Sequence, residues 1–138
     1  MDRVVRVGIS LEPELLQRFD EIIRSEGYTN RSEAIRDMIR EKLSQKFLED
    51  PEAHAVGTIT VIYDHHKGVV TDRMLHIQHH HLDVVGVSSH LHLDEDLCME
   101  AILVKGKVKE VIALYNEIKS LRGILKTDLS LSSLSIKT

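Results

Sequence analysis

The sequence is poor in the residues that stabilise small secreted proteins or mark membrane spans. Its 138 residues include one cysteine, two prolines and no tryptophan, and only 4% of them are aromatic. A single thiol cannot form an internal disulfide, which is typical of a reducing compartment. No apolar run approaches the roughly 18 residues that span a bilayer, and the alternating N-terminus MDRVVRVGIS is not a secretory signal. These absences predict a soluble cytoplasmic protein.

Charged residues are plentiful, but they do not accumulate with one sign. The net charge is −4, and the apolar fraction of 42% is that of a globular protein. Up to Phe47, nine basic residues balance nine acidic ones, so any DNA binding there must come from where the charges are placed. All nine histidines lie at or after His54. The chain therefore has two regions with different chemistry.

The first region has the pattern of one strand followed by two helices. Residues 5–11 alternate apolar and polar side chains, which predicts a half-buried strand. A helix is predicted from Pro13 to a glycine cap at Gly27, and a second one begins after Asn30, with Glu33 completing a capping box. A lone strand in about 45 residues leaves its edges unpaired, so we expect a dimer in which the strand pairs with its copy. Such a ribbon fits the DNA major groove.

This region resembles the ribbon-helix-helix repressors. The likeness runs along RVGISLEPELLQRFDEIIRSEGYTNRSEAIRDMIREKL and is most specific in GYTNRSEAIRDMI. It implies that Arg6 and Ser10 read bases and that the DNA backbone is held by Asn30, Arg31, Ser32 and Arg36. Free amides at a helix N-terminus form an anion site, which agrees with that role. The alternative is a unit that only dimerises and whose arginines are solvated.

The second region begins after a predicted hinge at 49–54, where Pro51 breaks the helical pattern. Its periodicity predicts four strands and two helices in the order βαββαβ. This order predicts an α+β, ferredoxin-like fold, in which two helices cover one face of a four-stranded antiparallel sheet. The predicted strands are 56–63, 83–93, 99–104 and 125–136, and the predicted helices are 67–81 and 108–121.

Two histidines and the cysteine form the clearest candidate metal site. His90 and His92 lie two residues apart in a predicted strand, so both imidazoles leave the same face, about 6.6 Å apart along the backbone. Cys98 follows an acidic turn that could fold it back beside them, and His79 could supply a fourth ligand. A thiolate among imidazoles selects a borderline or soft divalent metal. The alternative is a solvated histidine pair and a simply buried thiol.

With QHHHLD, HLHLDEDLC and EAILVKG included, nearly the whole chain resembles the nickel-responsive transcriptional regulators (NikR family). The resemblance implies a ribbon-helix-helix domain at 1–48 and an ACT-like metal-binding and tetramerisation domain at 55–138. It also implies one Ni²⁺ per subunit in a square plane. The implied ligands are His90, His92 and Cys98 of one subunit and His79 of its neighbour.

The same resemblance implies supporting residues and a biological role. Tyr63 matches a position that helps to orient the ligands, and Glu33 and Asp37 match positions that hold a lower-affinity cation. The implied protein is a homotetrameric repressor, not an enzyme, whose affinity for a palindromic operator rises with nickel and which controls nickel uptake genes. No role is assigned to the remaining histidines, which are His54, His65, His66, His76, His80 and His81.

Three other interpretations remain open at the level of the sequence. Three histidines and a cysteine also suit tetrahedral zinc, and copper binds such sites more tightly than nickel, so a zinc or copper sensor is possible on residue types. A metalloenzyme would need an open metal position and a general base, for which the acidic residues 94–96 are candidates. The third is an antitoxin-like repressor whose second domain binds a protein or an amino acid.

Overall fold

The computed structural model describes residues 3–67 and 69–134 and divides the chain into two compact units, Met1–Glu41 and Lys42–Thr138. None of the helices in the described residues has the length and apolar character of a membrane span. The elements in chain order are α1 (Pro13–Ser25), α2 (Arg31–Phe47), β1 (His54–Asp64), α3 (Val70–His80), β2 (Val85–His92), β3 (Leu97–Lys107), α4 (Val108–Lys119) and β4 (Ile124–Ser133).

Helix α1 begins and ends where its sequence predicts. Pro13 occupies the first helical position, where its missing N–H costs nothing. At the other end, Gly27 has a positive φ of 89°. The Gly27 N–H donates a hydrogen bond to the carbonyl oxygen of Arg24 at 3.1 Å. The Tyr28 N–H donates one to the carbonyl oxygen of Ile23 at 2.9 Å. This pair of bonds is the Schellman motif, which a left-handed glycine permits at little steric cost.

Helix α2 is capped at its N-terminus by Asn30. The Asn30 Oδ1 accepts a hydrogen bond from the backbone N–H of Glu33 at 2.9 Å, as predicted. The Glu33 carboxylate lies against the Thr29 hydroxyl, which donates to it at 3.4 Å. Near the other end of α2, within the second unit, the Ser44 hydroxyl accepts a hydrogen bond from the backbone N–H of Ser133 at 3.2 Å.

The predicted N-terminal strand is absent from this structure. Residues 3–12 have no regular secondary structure, and the apolar side chains of Val5, Val7 and Ile9 are 82%, 85% and 62% exposed. A strand is stabilised by hydrogen bonds to a neighbouring strand, and the prediction placed that neighbour in a second copy of the chain. A single copy therefore leaves the segment without a neighbouring strand and its apolar residues uncovered.

The C-terminal unit has the predicted βαββαβ order and the predicted antiparallel sheet, with strand order β2-β3-β1-β4. Buried side chains of α3 and α4, among them Met74 and Leu114, pack with those of the central strands, among them Ile59 and Ile102, in one core. Both helices therefore cover the same face. The last predicted strand extends to Ile136, which lies outside the described residues.

Strand β3 is longer than predicted, because it starts at Leu97 and ends at Lys107 rather than covering 99–104. Alternate residues of β3 face the helices and are buried, from Cys98 to Val104. The consequence for function is that Cys98 belongs to the sheet. It is not in the loop before the sheet.

Candidate metal centre and nucleic-acid interface

The acidic turn between β2 and β3 brings the cysteine back to the histidines. The Asp94 carboxylate accepts hydrogen bonds from the backbone N–H groups of Asp96 and Leu97, both at 2.7 Å. These two bonds hold the pKa of the Asp94 carboxyl below its ordinary value, and the bond from Leu97 has the larger effect. In the resulting register, His92 is directly opposite Cys98 and His90 is opposite Glu100. Directly opposed residues share one face of a sheet, so these four side chains point to the same side.

The Cys98 thiol lies close to one ring nitrogen of His90. The Sγ of Cys98 lies 3.6 Å from the Nδ1 of His90. The thiol is buried, with 2% of the residue exposed, whereas the His90 side chain is 47% exposed. One candidate ligand is therefore shielded from solvent and the other is accessible from it.

The other nitrogen of His90 faces a buried carboxylate. His90 Nε2 lies 3.5 Å from Oε1 of Glu100, which is 1% exposed. Glu100 also accepts hydrogen bonds from the Tyr63 hydroxyl at 3.1 Å and from the Gln78 amide at 2.6 Å. Metal-bound histidines usually direct their second nitrogen at such a group, which sets the ring orientation. With Nε2 of His90 facing Glu100, Nδ1 of the same ring faces the sulfur.

Tyr63 connects the cysteine to this carboxylate. It is directly opposite Cys98 across β1 and β3 and is 1% exposed. Burial is the largest of the effects that raise the pKa of the Tyr63 hydroxyl well above its ordinary value. The nearby Glu100 and Cys98 raise it further. The phenol therefore keeps its proton at neutral pH and serves as a donor to Glu100. Tyr63 was predicted to support the ligands, and it contacts the carboxylate that faces His90.

Neither Glu100 nor Gln78 was predicted from the sequence to belong to this site. The only local signal is a single glutamate in the otherwise apolar stretch CMEAILV of β3. A carboxylate in a buried strand needs hydrogen-bond partners, which makes such a residue a candidate for a functional network. Its partners could not be read from the sequence, because Tyr63 lies 37 residues away and Gln78 lies 22 residues away.

The remaining two predicted ligands are placed differently. The His92 ring lies near that of His65, with ring centroids 6.2 Å apart. His79 is exposed on α3. Within residues 3–67 and 69–134 there is no group of three or more histidine, cysteine or acidic side chains arranged to hold a metal ion. A closed four-ligand site is therefore not assembled by the described part of one chain.

The predicted DNA-contacting residues are mostly accessible. Arg6 and Ser10 are exposed in the segment before α1, and Ser32 and Arg36 are exposed at the start of α2. Asn30 is engaged through its Oδ1 in the helix cap.

Arg31 is held by an ion pair. Its guanidinium makes two hydrogen bonds to the Asp20 carboxylate, at 2.9 and 2.8 Å, which join the start of α2 to α1. The pair lowers the pKa of Asp20 and raises that of Arg31. A phosphate contact by Arg31 would therefore have to share the guanidinium with Asp20.

The predicted low-affinity cation site is occupied by other partners in this structure. The two carboxylate oxygens of Asp37 accept hydrogen bonds, one from the Tyr28 hydroxyl at 2.6 Å and the other from the Arg40 guanidinium at 3.3 Å. The hydrogen bond to Asp37 raises the pKa of Tyr28. A cation shared by Glu33 and Asp37 would have to displace these donors.

Two known protein families match this chain, and together they show to which family it belongs. The ribbon-helix-helix family described as copG-like matches residues 5–46. The NikR C-terminal nickel-binding domain matches residues 56–132, which is more than half of the chain. The chain belongs to the family of nickel-responsive regulators. Both parts of this regulator match DNA-binding or metal-binding regulatory domains, so the prediction that it is not an enzyme is confirmed.

Relatives of similar length support this assignment. A protein of Dictyoglomus thermophilum is 42% identical over 97% of this chain and 99% of its own length. One of Syntrophus aciditrophicus is 44% identical over 96% of each chain. One of Methanocaldococcus jannaschii is 42% identical over 94% of this chain and 93% of its own. Each is provisionally named a nickel-responsive regulator.

The fold of part of this regulator also occurs in a distant solved structure. An uncharacterized protein of Thermotoga maritima superposes with a TM-score of 0.51, covers 56% of this chain and 96% of its own, and is 9% identical. At this identity the likeness shows the fold alone.

Proposed function

We propose that this regulator is a repressor of nickel uptake genes, in which nickel raises the affinity for a palindromic operator. We assign the nickel ligands to His90, His92 and Cys98 of one subunit and His79 of a second copy, with one ion per subunit. The observation that carries the proposal is the 3.6 Å approach of the Cys98 thiol to His90 Nδ1. It occurs in a chain of the nickel-responsive family that also has a DNA-binding domain.

The described residues fit nickel in their chemistry. Thiolate and imidazole ligands suit late first-row divalent ions and disfavour magnesium and calcium. His90 has one ring nitrogen facing the thiol and the other facing the buried Glu100 carboxylate. When bound, nickel would supply a link between ligands of two subunits. Glu100 and Tyr63 would hold the His90 ring and the Cys98 environment in place for it.

A tetramer is part of the proposal, because exposed apolar surface remains on the face of the sheet opposite the helices. Val87 and Leu103 are directly opposite each other and are 57% and 51% exposed. Burying such surface against a second copy is favourable by about 25 cal/mol per Å². Residues 5–11 would pair with those of another copy as the DNA-reading ribbon, in a domain that we place at 1–48 with a hinge at 49–54.

Replacing Cys98 with alanine should abolish the response of DNA binding to nickel. Allosteric coupling of this kind amounts to about 1–3 kcal/mol, or roughly 5–150-fold in affinity. In wild type, nickel should strengthen binding to a duplex that the nickel-loaded protein selects from a random library. In the Cys98→Ala variant, the ratio of affinities with and without nickel should fall to about one. Fluorescence anisotropy at fixed ionic strength measures both ratios, since salt alone changes DNA affinity strongly.

The same samples test the identity of the metal and the site. Wild type with nickel should show a thiolate-to-nickel charge-transfer band, which Cys98→Ala must lose. Thermal unfolding without metal checks that the variant is folded. A folded Cys98→Ala variant that keeps the full nickel response would refute the assigned site. A wild-type response to zinc or copper but not to nickel would refute nickel as the effector.

Replacing Arg6 with alanine should weaken operator binding whether or not nickel is present. An arginine that contacts a base contributes about 1–3 kcal/mol, so affinity should fall roughly 5–150-fold and selectivity at one base position should relax. Arg3→Ala is the matched control: it removes the same charge three residues earlier, and the period of a strand places it on the other face. Equal losses in the two variants would show that Arg6 contributes charge and does not read bases.

A further inference from the structure

A second pair of histidines lies on the exposed side of α3. His76 and His80 are four residues apart, and their Nε2 atoms are 2.9 Å from each other. The rings are nearly perpendicular, at 83°, with centroids 4.2 Å apart. Both residues are exposed, whereas Met74 and Ile77 of the same helix face the core. Neither His76 nor His80 belongs to the ligand set assigned above.

The separation of the two nitrogens matches that of neighbouring ligands on one metal ion. A late first-row ion binds imidazole nitrogen at about 2.0–2.1 Å. Two such bonds at a right angle, as in square-planar or octahedral coordination, place the nitrogens about 2.9 Å apart, and a tetrahedral angle places them about 3.3–3.4 Å apart. Two histidines at positions i and i+4 on one helix face are a known way to hold such an ion.

In the metal-free chain, a hydrogen bond between the two rings accounts for this distance. One ring then carries its proton on Nε2 and donates to the Nε2 lone pair of the other. For both Nε2 atoms to bind one ion, the donor ring moves its proton to Nδ1, and no net proton is released. Because the rings are already together, less conformational freedom is lost on binding than for two independent side chains.

We propose that His76 and His80 form a second, solvent-open site for a late first-row divalent cation, with Cu²⁺ bound more tightly than Ni²⁺ or Zn²⁺. Water would complete its coordination, and Asp72 lies one turn before His76 on the same helix. The site shares no residue with the assigned nickel ligands. His79 is also on α3, at about 100° from His80 and about 60° from His76 around the helix axis.

Zinc binding to full-length protein tests this site directly. In ¹H–¹⁵N spectra of the imidazole rings, added Zn²⁺ should shift the signals of His76 and His80 together. In equilibrium dialysis, His76→Gln should bind one equivalent of Zn²⁺ per chain fewer than wild type. The nickel charge-transfer band should be the same in both, because His76 is not among its ligands. Wild type and His76→Gln share all other weak histidine sites. The difference in zinc bound by the two proteins therefore reports the His76 and His80 site alone.

His54→Gln is the control, since it removes an exposed histidine outside the pair and should leave the count unchanged. The double variant with His76→Gln and His80→Gln should lose no more zinc than His76→Gln alone, because one imidazole cannot hold the ion by itself at the same concentration. An unchanged count in His76→Gln would overturn the proposal, as would independent shifts of the two rings.

Discussion

The variant Gly57→Val is expected to unfold or strongly destabilise the C-terminal unit. Gly57 lies in the central strand β1, between β3 and β4. A Cβ atom there would overlap the backbone carbonyl oxygen of Ser130 and lie 2.8 Å from Cδ2 of Leu131. A backbone atom of a paired strand cannot move aside alone, so the sheet would have to open. The glycine permits this close approach of two strands.

The cost should reach at least about 3 kcal/mol, the upper end of what overpacking usually costs. For a unit of this size, roughly 4–8 °C of melting temperature is lost per kcal/mol, so a fall of about 12–24 °C or complete loss of cooperative unfolding is expected. Circular dichroism during heating measures it. Gly86→Ala is the matched control, because its Cβ would meet only the Leu103 carbonyl oxygen at 3.4 Å. If Gly57→Val had the same melting temperature as wild type, β4 would be able to move away from β1 at this point at little cost.

Replacing Glu100 with alanine is expected to weaken nickel binding and to destabilise the protein at the same time. The buried carboxylate accepts hydrogen bonds from Tyr63 and Gln78 and faces His90 Nε2. Without it, the buried Tyr63 hydroxyl loses its acceptor, at about 1–3 kcal/mol, and the partly buried Gln78 amide loses one as well. The His90 ring also loses the group that directs Nδ1 toward Cys98, and such losses usually reduce metal affinity about 10–100-fold.

The variant Glu100→Gln separates the two effects. Glutamine has nearly the same shape and keeps an oxygen acceptor, so the melting temperature should stay closer to that of wild type than in Glu100→Ala. It lacks the negative charge that faces His90, so the nickel affinity should still fall. Competition with a chelator of known affinity measures the binding, and heating without metal measures the stability. Unchanged nickel affinity in both variants would limit Glu100 to a structural role in the core.

Several elements could be predicted because their determinants are close together in the chain. The Gly27 end of α1 and the Asn30 cap of α2 depend on hydrogen bonds that span three to five residues. The alternation of β1 and the helical spacing of Val70, Met74 and Ile77 likewise report which side faces the core. For the same reason, His90 and His92 could be placed on one face of a strand before any register was known.

The carboxylate network could not be predicted, because it joins residues that are distant in the chain. Glu100 meets Tyr63 through the pairing of β1 with β3, and it meets Gln78 because α3 packs on the sheet. No local pattern encodes these contacts. The same holds for Gly57. A side chain is excluded at this position because β4 approaches β1 too closely. The pair His76 and His80 had the right spacing for an ion, but only the structure shows their rings together on the exposed side.

The order of the elements, the buried side of each one and the candidate metal ligands could all be predicted from the amino-acid sequence. These follow from periodicity and from caps a few residues long. Strand pairing and packing make Cys98 a buried sheet residue that faces His90, with Glu100 beside the other ring nitrogen of that histidine. These features could not be predicted, because a burial pattern is a property of one segment, whereas register and packing arise between segments. The N-terminal ribbon extends this rule, since its residues show the alternation of a strand while its proposed partner is a second copy of the chain.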